Sequence, residues 1–307
     1  MTDDNVSLIT RIRGGTIGCI DLAATEDWYG NWLGYSVVER GDISNGLAAS
    51  WGTPAMTGRP YLLMQPESGD DVYIRAAEID PVPGYKPLTT YGWGSFEIVV
   101  ENAYDLNERL LKGPFEIIGP PQNIGPEYPT IHAMQVVGPS NEVLYLTCDI
   151  GDPEKSLLPP PGAAVGRDFI MVLSGLADVS IAHDFYVETF RMTPGGMRQT
   201  SVGIIANALG LPEGDNIWMS FIPFRQPANF LEIDGYPSPA AKPRPVNAGQ
   251  LPPGCAMASF GVESLKHVDV EWLGPHATEQ SIQYQGGPSG ALRGAAGEII
   301  ELIEETH

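Results

Sequence analysis

The chain has 307 residues, 43% of them hydrophobic, and 38 acidic against 17 basic side chains, for a net charge of −21. Such a balance excludes nucleic acid and anionic membrane surfaces as partners, because both need clustered Lys and Arg to displace counterions. The length suits two units of about 150 residues. No stretch of about 18 apolar residues is present to span a bilayer. The polar, acidic start Met1-Thr2-Asp3-Asp4-Asn5 lacks the basic and apolar parts of a signal peptide. With three cysteines (Cys19, Cys148 and Cys255) in no metal-ligand spacing, the expectation is reduced thiols in a cytoplasmic protein.

In chain order, a strand-like run at 15–20 leads into a helix carrying Asp27-Trp28-Tyr29, and short β runs such as Tyr61-Leu62-Leu63-Met64 follow. A second run at 95–100 leads into Tyr104-Asp105-Leu106-Asn107-Glu108-Arg109-Leu110-Leu111, whose apolar residues recur at helical spacing. That half closes on Gly138-Pro139-Ser140-Asn141-Glu142-Val143-Leu144-Tyr145-Leu146. The proline-rich stretch 151–165 reads as an extended spacer. Beyond it, a run at 168–173 leads into Asp184-Phe185-Tyr186, followed by β runs at 217–222 and 229–233. A fourth run at 257–262 leads into the shorter helix candidate 262–268, and the chain closes on Gly294-Ala295-Ala296-Gly297-Glu298-Ile299-Ile300-Glu301-Leu302.

The second half repeats the first. The aromatic pairs Trp28-Tyr29 and Phe185-Tyr186 are 157 positions apart, and Tyr145 and Glu301 in the closing segments are 156 apart. A near-constant offset between strand–helix–strand signatures marks a duplicated unit. Each half divides again, giving four βαβββ modules at about 12–80, 90–150, 166–236 and 254–305. The fold expected is α+β, with tandem βαβββ modules paired so that a curved sheet surrounds a cavity and helices lie outside. The expected units are an N-terminal one at 1–150, the linker 151–165 and a C-terminal one at 166–307.

This pattern resembles the vicinal oxygen chelate superfamily, which includes glyoxalase I, bleomycin-resistance proteins, methylmalonyl-CoA epimerase and type I extradiol dioxygenases. The resemblance rests on the strand-to-helix entry ending in an aromatic pair and on Gly297 to Leu302, and it covers most of the chain. It implies two glyoxalase-like domains. In metal-dependent members, the first and last strands of each module supply ligand positions. By eye these fall at Gly15, Arg75, Ser95 and Tyr145 in the N-terminal half, where a glycine and a fixed cation do not suit a metal. That half is read as degenerate and metal-free. In the C-terminal half they fall at Asp168, Glu232, Met257 and Glu301.

Three of these four are carboxylates, and none of the five histidines (132, 183, 267, 276 and 307) takes a ligand position. The departure weakens extradiol chemistry, which uses two histidines and one carboxylate on iron. It also weakens a zinc or nickel site of the glyoxalase type. Asp168, Glu232 and Glu301 together would either hold one hard divalent ion or act as an acid–base pair with one carboxyl protonated. Both schemes suit a small-molecule lyase or isomerase moving a proton next to a carbonyl. An extradiol ring-cleavage dioxygenase relative is one alternative. A non-catalytic drug- or metabolite-binding protein of the bleomycin-resistance type is another.

Met257, Tyr145 and His132 are the candidate substrate-binding residues. Arg75 and Glu97 are read as a buried pair in the N-terminal cavity, and His183 as a solvated helix residue. Trp51 and Trp93, with Tyr91 and Tyr128, are aromatic-rich enough to wall an aromatic ligand. The expected partner is a small molecule, and a homodimer is left open.

Overall fold

The computed structural model describes residues 6–306 except Glu213 and Ala228, with backbone alone for 167–170. Asp168, one of the predicted site residues, therefore has its side chain outside the described residues.

Four βαβββ units follow one another. The first holds β1 (Ile9–Cys19), α1 (Leu22–Leu33), β2 (Ser36–Asp42), the short α2 (Asn45–Ser50), β3 (Pro60–Gln65) and β4 (Tyr73–Glu78). The second holds β5 (Gly92–Val100), α3 (Ala103–Leu110), β6 (Glu116–Asn123), β7 (Ile131–Val137) and β8 (Val143–Asp149). In the third lie β9 (Val165–Gly175), α4 (Val179–Phe190), β10 (Met197–Thr200), α5 (Gly203–Leu209), β11 (Ile217–Pro223) and β12 (Phe230–Gly235). The fourth has β13 (Gly254–Val262), a single 3-10 turn at Leu265–His267 where a helix was expected, β14 (Ala277–Thr278), β15 (Pro288–Arg293) and β16 (Ile299–Glu304). The α-helices other than α5 start where short polar side chains cap them. Asp21 accepts from the Ala24 amide at 2.9 Å and Asp178 from the Ser180 amide at 3.0 Å. Gly34 ends α1 at φ 73°, a conformation that favours glycine.

The units pair into two eight-stranded sheets. One runs β14-β15-β16-β13-β1-β4-β3-β2 and joins the first unit to the fourth. The other runs β10-β11-β12-β9-β5-β8-β7-β6 and joins the second to the third. We call them the outer-unit and inner-unit sheets. The expected partnership of neighbours within each half is therefore corrected: each sheet draws on both halves. The physical reason lies in the central seams. Around the 151–165 crossing, β9 returns antiparallel to β5, with Phe96 opposite Met171, and β13 returns antiparallel to β1, with Gly15 opposite Ala258. Both β5 and β13 are buried along their whole length, as central strands covered on both faces are.

Strand alternation sends one set of side chains inside each curved sheet and the other toward the helices and the neighbouring sheet. Ile74, Ile300 and Leu302 of the outer-unit sheet join Phe96, Met171 and Leu173 of the inner-unit sheet in one continuous core. Gly15 belongs to this contact, because a side chain there would collide with the ring of Phe96. A one-residue difference from the predicted register puts Thr16, not Gly15, on the inner face.

The repeated aromatic pair has a structural role. Tyr29 on α1 donates to Glu142 Oε1 at 3.1 Å, and Tyr186 on α4 donates to Glu298 Oε1 at 2.8 Å. Each carboxylate also accepts an amide of its own turn, Ser140 and Ala296 respectively, at 2.8 Å. Burial pushes Glu142 up to about 7 and raises Glu298 as well. Both links tie the helix of one unit to the turn before the last strand of the next. This explains why the aromatic pair and the closing Gly-to-Glu segment recur at the same offset.

Candidate functional site in the inner-unit barrel

The two inner faces differ in chemistry. In the outer-unit barrel, Arg75 on β4 is buried beside Glu301 on β16, with Nη1 3.7 Å from Glu301 Oε2. Glu301 is fully buried and accepts from Trp51 Nε1 at 2.8 Å, from the Tyr284 hydroxyl at 2.7 Å and from Ser259 Oγ at 2.6 Å. Arg75 donates to Gln283 Oε1 at 2.6 Å and to the Tyr284 hydroxyl at 2.7 Å, and it lies over the Trp51 and Tyr284 rings. Trp51 directly follows α2 and packs with Met257, Ala77, Ile299 and Ile303 in an apolar cluster. The central charges of this interior are partnered. The predicted Met257 is one of its packing residues.

The inner-unit barrel is lined by carboxyls instead. Register places Glu97 beside Tyr145, and Tyr145 beside Gln135. Glu232 lies between Phe221 and Val172, and Asp234 between Met219 and Ser174. Because Glu232 and Asp234 are two apart on one strand, they share the inner face. Burial is the first cause that raises all three acids: Glu97 and Asp234 to about 7, and Glu232 well above the usual carboxylate range. The charges of Asp234 and Glu97 raise Glu232 further, while Arg198 on β10 opposes this. Glu97 accepts from Thr147 Oγ1 at 2.5 Å. Asp234 receives no hydrogen bond from any amide, hydroxyl or guanidinium among the described residues, and its carboxyl lies within reach of the Glu232 carboxyl. Two carboxyls so placed titrate as a coupled pair.

Four more polar side chains of this face have atoms without partners among the described residues: the Tyr145 hydroxyl, Gln135 Oε1, Ser95 Oγ and Ser174 Oγ, all on buried residues. At the rim, Arg198 pairs with Glu127 at 2.6 Å and lies over the Tyr128 and Phe221 rings. The short α5 packs on this region: Ile205 shares an apolar cluster with Met219 and Tyr236, and Ile204 packs against the cluster of Leu88, Val137, Val143 and Tyr145.

Measured against the sequence reading, the structure separates the proposed acid set. Glu232 lies in the inner-unit barrel and Glu301 in the outer-unit barrel, so they do not share a cavity; β9, which carries Asp168, belongs to the inner-unit sheet. Tyr145 joins Glu232. His132 does not, since its Nδ1 meets the Tyr104 hydroxyl of α3 at 2.7 Å on the helix side. The expected Arg75–Glu97 pair is replaced by Arg75–Glu301, because β4 and β5 belong to different sheets. His183, expected in solvent, is buried against Ser220 Oγ at 2.7 Å. Trp93 donates to the Ile299 carbonyl at 2.7 Å between the sheets, so it walls no ligand. Sequence reasoning missed Asp234, Gln135 and Arg198. Asp234 carried a usable signal, two residues from Glu232 in an alternating strand.

Maize glyoxalase I superposes on this chain with a TM-score of 0.60 at 13% identity, covering 96% of this chain and 92% of its own. A putative dioxygenase from Bacillus subtilis gives a TM-score of 0.59 at 12% identity, covering 98% and 87%. The chain has the vicinal oxygen chelate fold. No family model matches the sequence, and no curated protein matches it either.

Metal-dependent proteins of this fold take ligands from the first and last strands of each unit. In the outer-unit barrel, register brings Thr16 beside Arg75 and Ser259 beside Glu301. A guanidinium in that group of four repels a metal ion. The corresponding residues of the inner-unit barrel are Glu97 beside Tyr145 and Val172 beside Glu232. Valine has no ligand atom, and burial holds the Tyr145 phenol far up in its neutral form. Among the described residues, no three His, Cys, Asp or Glu side chains are arranged to hold a metal. The residues present do not fit the superfamily's metal.

Proposed function

We propose that this protein moves a proton on a small molecule held in the inner-unit barrel, as a lyase or isomerase does next to a carbonyl. The observation that carries this reading is the buried, adjacent Glu232–Asp234 carboxyl pair, raised by burial, with Glu97 and Tyr145 facing it. A carboxyl pushed toward neutrality accepts and returns a proton efficiently near pH 7, because its affinity matches the medium. In this scheme the ionised member of the pair takes a proton from substrate carbon. The protonated member, or Glu97, gives one to the developing oxyanion. In this scheme Glu232 keeps the catalytic role expected from the sequence, and Asp234 takes the role there assigned to Glu301 or Asp168. The packing of α5 on this region keeps bulk water from the exchanged proton.

Dioxygenase chemistry fits less well, because no histidine is found among the described residues facing this site. The test is hydrogen–deuterium exchange into a panel of small carbonyl compounds in D2O, read by mass spectrometry. Protein-dependent exchange at carbon that is lost in Glu232→Gln supports the reading. Tight binding of a compound with no exchange would replace catalysis by sequestration.

A further inference from the structure

The polar atoms of the inner-unit barrel that no amide, hydroxyl or guanidinium reaches among the described residues include pure acceptors but no pure donor. Asp234, which faces only the Glu232 carboxyl, and Gln135 Oε1 accept hydrogen bonds, apart from a proton carried by the acid itself. The Tyr145 hydroxyl, Ser95 Oγ and Ser174 Oγ can act either way, and all three are buried without a partner among the described residues. Of the guanidiniums near them, Arg198 is already engaged by Glu127 and stacked on Tyr128 and Phe221 at the rim, and Arg244 donates to Thr90 Oγ1 and to the Trp93 and Cys255 carbonyls. An interior with acceptors left open is completed by a donor-rich ligand, since an unmade buried hydrogen bond is costly.

We propose that the ligand of this barrel carries a protonated amine, with its N–H groups divided among Asp234, Gln135 Oε1 and the Tyr145 hydroxyl. Its apolar body rests on Met219, Phe221 and Tyr236. This rests on the assignment of the site to the inner-unit barrel and adds the chemical class of what enters it. The chain's net charge of −21 favours approach of a cation and opposes that of an anion. Arrival of an ammonium also supplies the counter-charge that lets Asp234 ionise.

The groups facing Asp234 are Glu97 from β5, Tyr145 from β8, Arg198 from β10, Glu232 on its own strand and Tyr236 just beyond it. Glu97, Glu232 and Asp234 are the members of this set that titrate in the neutral range or above it as acids. Binding of a cation must therefore be accompanied by proton release from them at neutral pH.

The experiment is calorimetric titration of the full chain with benzylamine and with benzyl alcohol, from about pH 6 to about 8, in two buffers of different ionisation enthalpy. Benzylamine, protonated throughout, is expected to bind at least about tenfold more tightly than the alcohol at the upper end. Its affinity should rise as pH passes through about 7, the range to which burial lifts Asp234. The buffer dependence should report protons released. Asp234→Asn should abolish the preference for amine over alcohol, and Gln135→Leu should reduce it, so the proposal does not hang on one variant's folding. Equal affinity for the two probes, binding of neither, or unchanged selectivity in both variants overturns it. The proton-exchange reading fails separately: amine selectivity without exchange at carbon removes catalysis and leaves this ligand class standing.

Discussion

Replacing Arg75 with Met should destabilise the chain by about 4 kcal/mol, within the range seen when one partner of a buried ion pair is removed. The structure shows where that figure comes from. Glu301 would remain fully buried, keeping its bonds from Trp51, Tyr284 and Ser259 but losing the cation 3.7 Å away. Gln283 Oε1 would lose its donor at 2.6 Å, worth about 1 kcal/mol. The contacts of the guanidinium with the Trp51 and Tyr284 rings, at 5.0 and 5.2 Å, would add about 1 kcal/mol more. Glu301→Gln keeps an acceptor for Trp51 and Tyr284 yet strands the Arg75 charge, so it should cost about 3 kcal/mol. The double variant should cost less than the sum by about 2 kcal/mol, because neither charge is then left alone. Urea denaturation followed by tryptophan fluorescence measures all three. Single costs below about 1 kcal/mol, or strict additivity, would refute the view that this pair is the structural centre of the outer-unit barrel.

The paired helix links give a symmetric prediction. Tyr29→Phe and Tyr186→Phe should each cost about 1–2 kcal/mol in the same assay, with the proton-exchange activity of the inner-unit barrel retained. The pH dependence of stability has a definite sign. Asp234 and Glu97 have folded-state values raised to about 7, so the folded chain binds more protons than the unfolded one between the ordinary carboxyl range and 7. Their contribution is present at low pH and is lost as pH rises through about 7, at up to about 1.4 kcal/mol per pH unit for each group. Asp234→Asn should therefore gain stability relative to the parent as pH increases from about 5 to about 8, measured by denaturation at each pH. A variant that tracked the parent across this window would remove Asp234 from the titrating set. Glu232→Gln should abolish carbon-bound deuterium exchange with less than about 1 kcal/mol loss of stability, since its neutral amide suits a site that already disfavours charge.

Much of the fold was legible because it is written in repeats. The recurrence of Trp28-Tyr29 at Phe185-Tyr186, and of Glu142 at Glu298, reflects two copies of one buried tyrosine–carboxylate link. The partnership of units was not legible. Any unit presents a central strand able to seal against another, and what decides is long-range packing such as Phe96 on Gly15. That choice put Glu301 and Glu232 in different barrels. Glu232 and Tyr145 were both named from their strand positions, but as members of different halves. Asp234 was passed over because Glu232-Ile233-Asp234 reads equally well as an outward-facing edge, and alternation fixes the shared face without fixing which side it lies on. Thr16 was missed by one residue, the smallest error in a strand and one that reverses the face of every side chain.

The central claim is that the working groups lie in the inner-unit barrel. Carbon-13 NMR titration of the side-chain carboxyls tests it most directly, with Glu97, Glu232 and Asp234 assigned by single substitution. The account predicts carboxyls titrating at about 7, one of them lost in Asp234→Asn and shifted in Glu232→Gln. Finding all three in the ordinary carboxylate range, unaffected by one another's replacement, would contradict it.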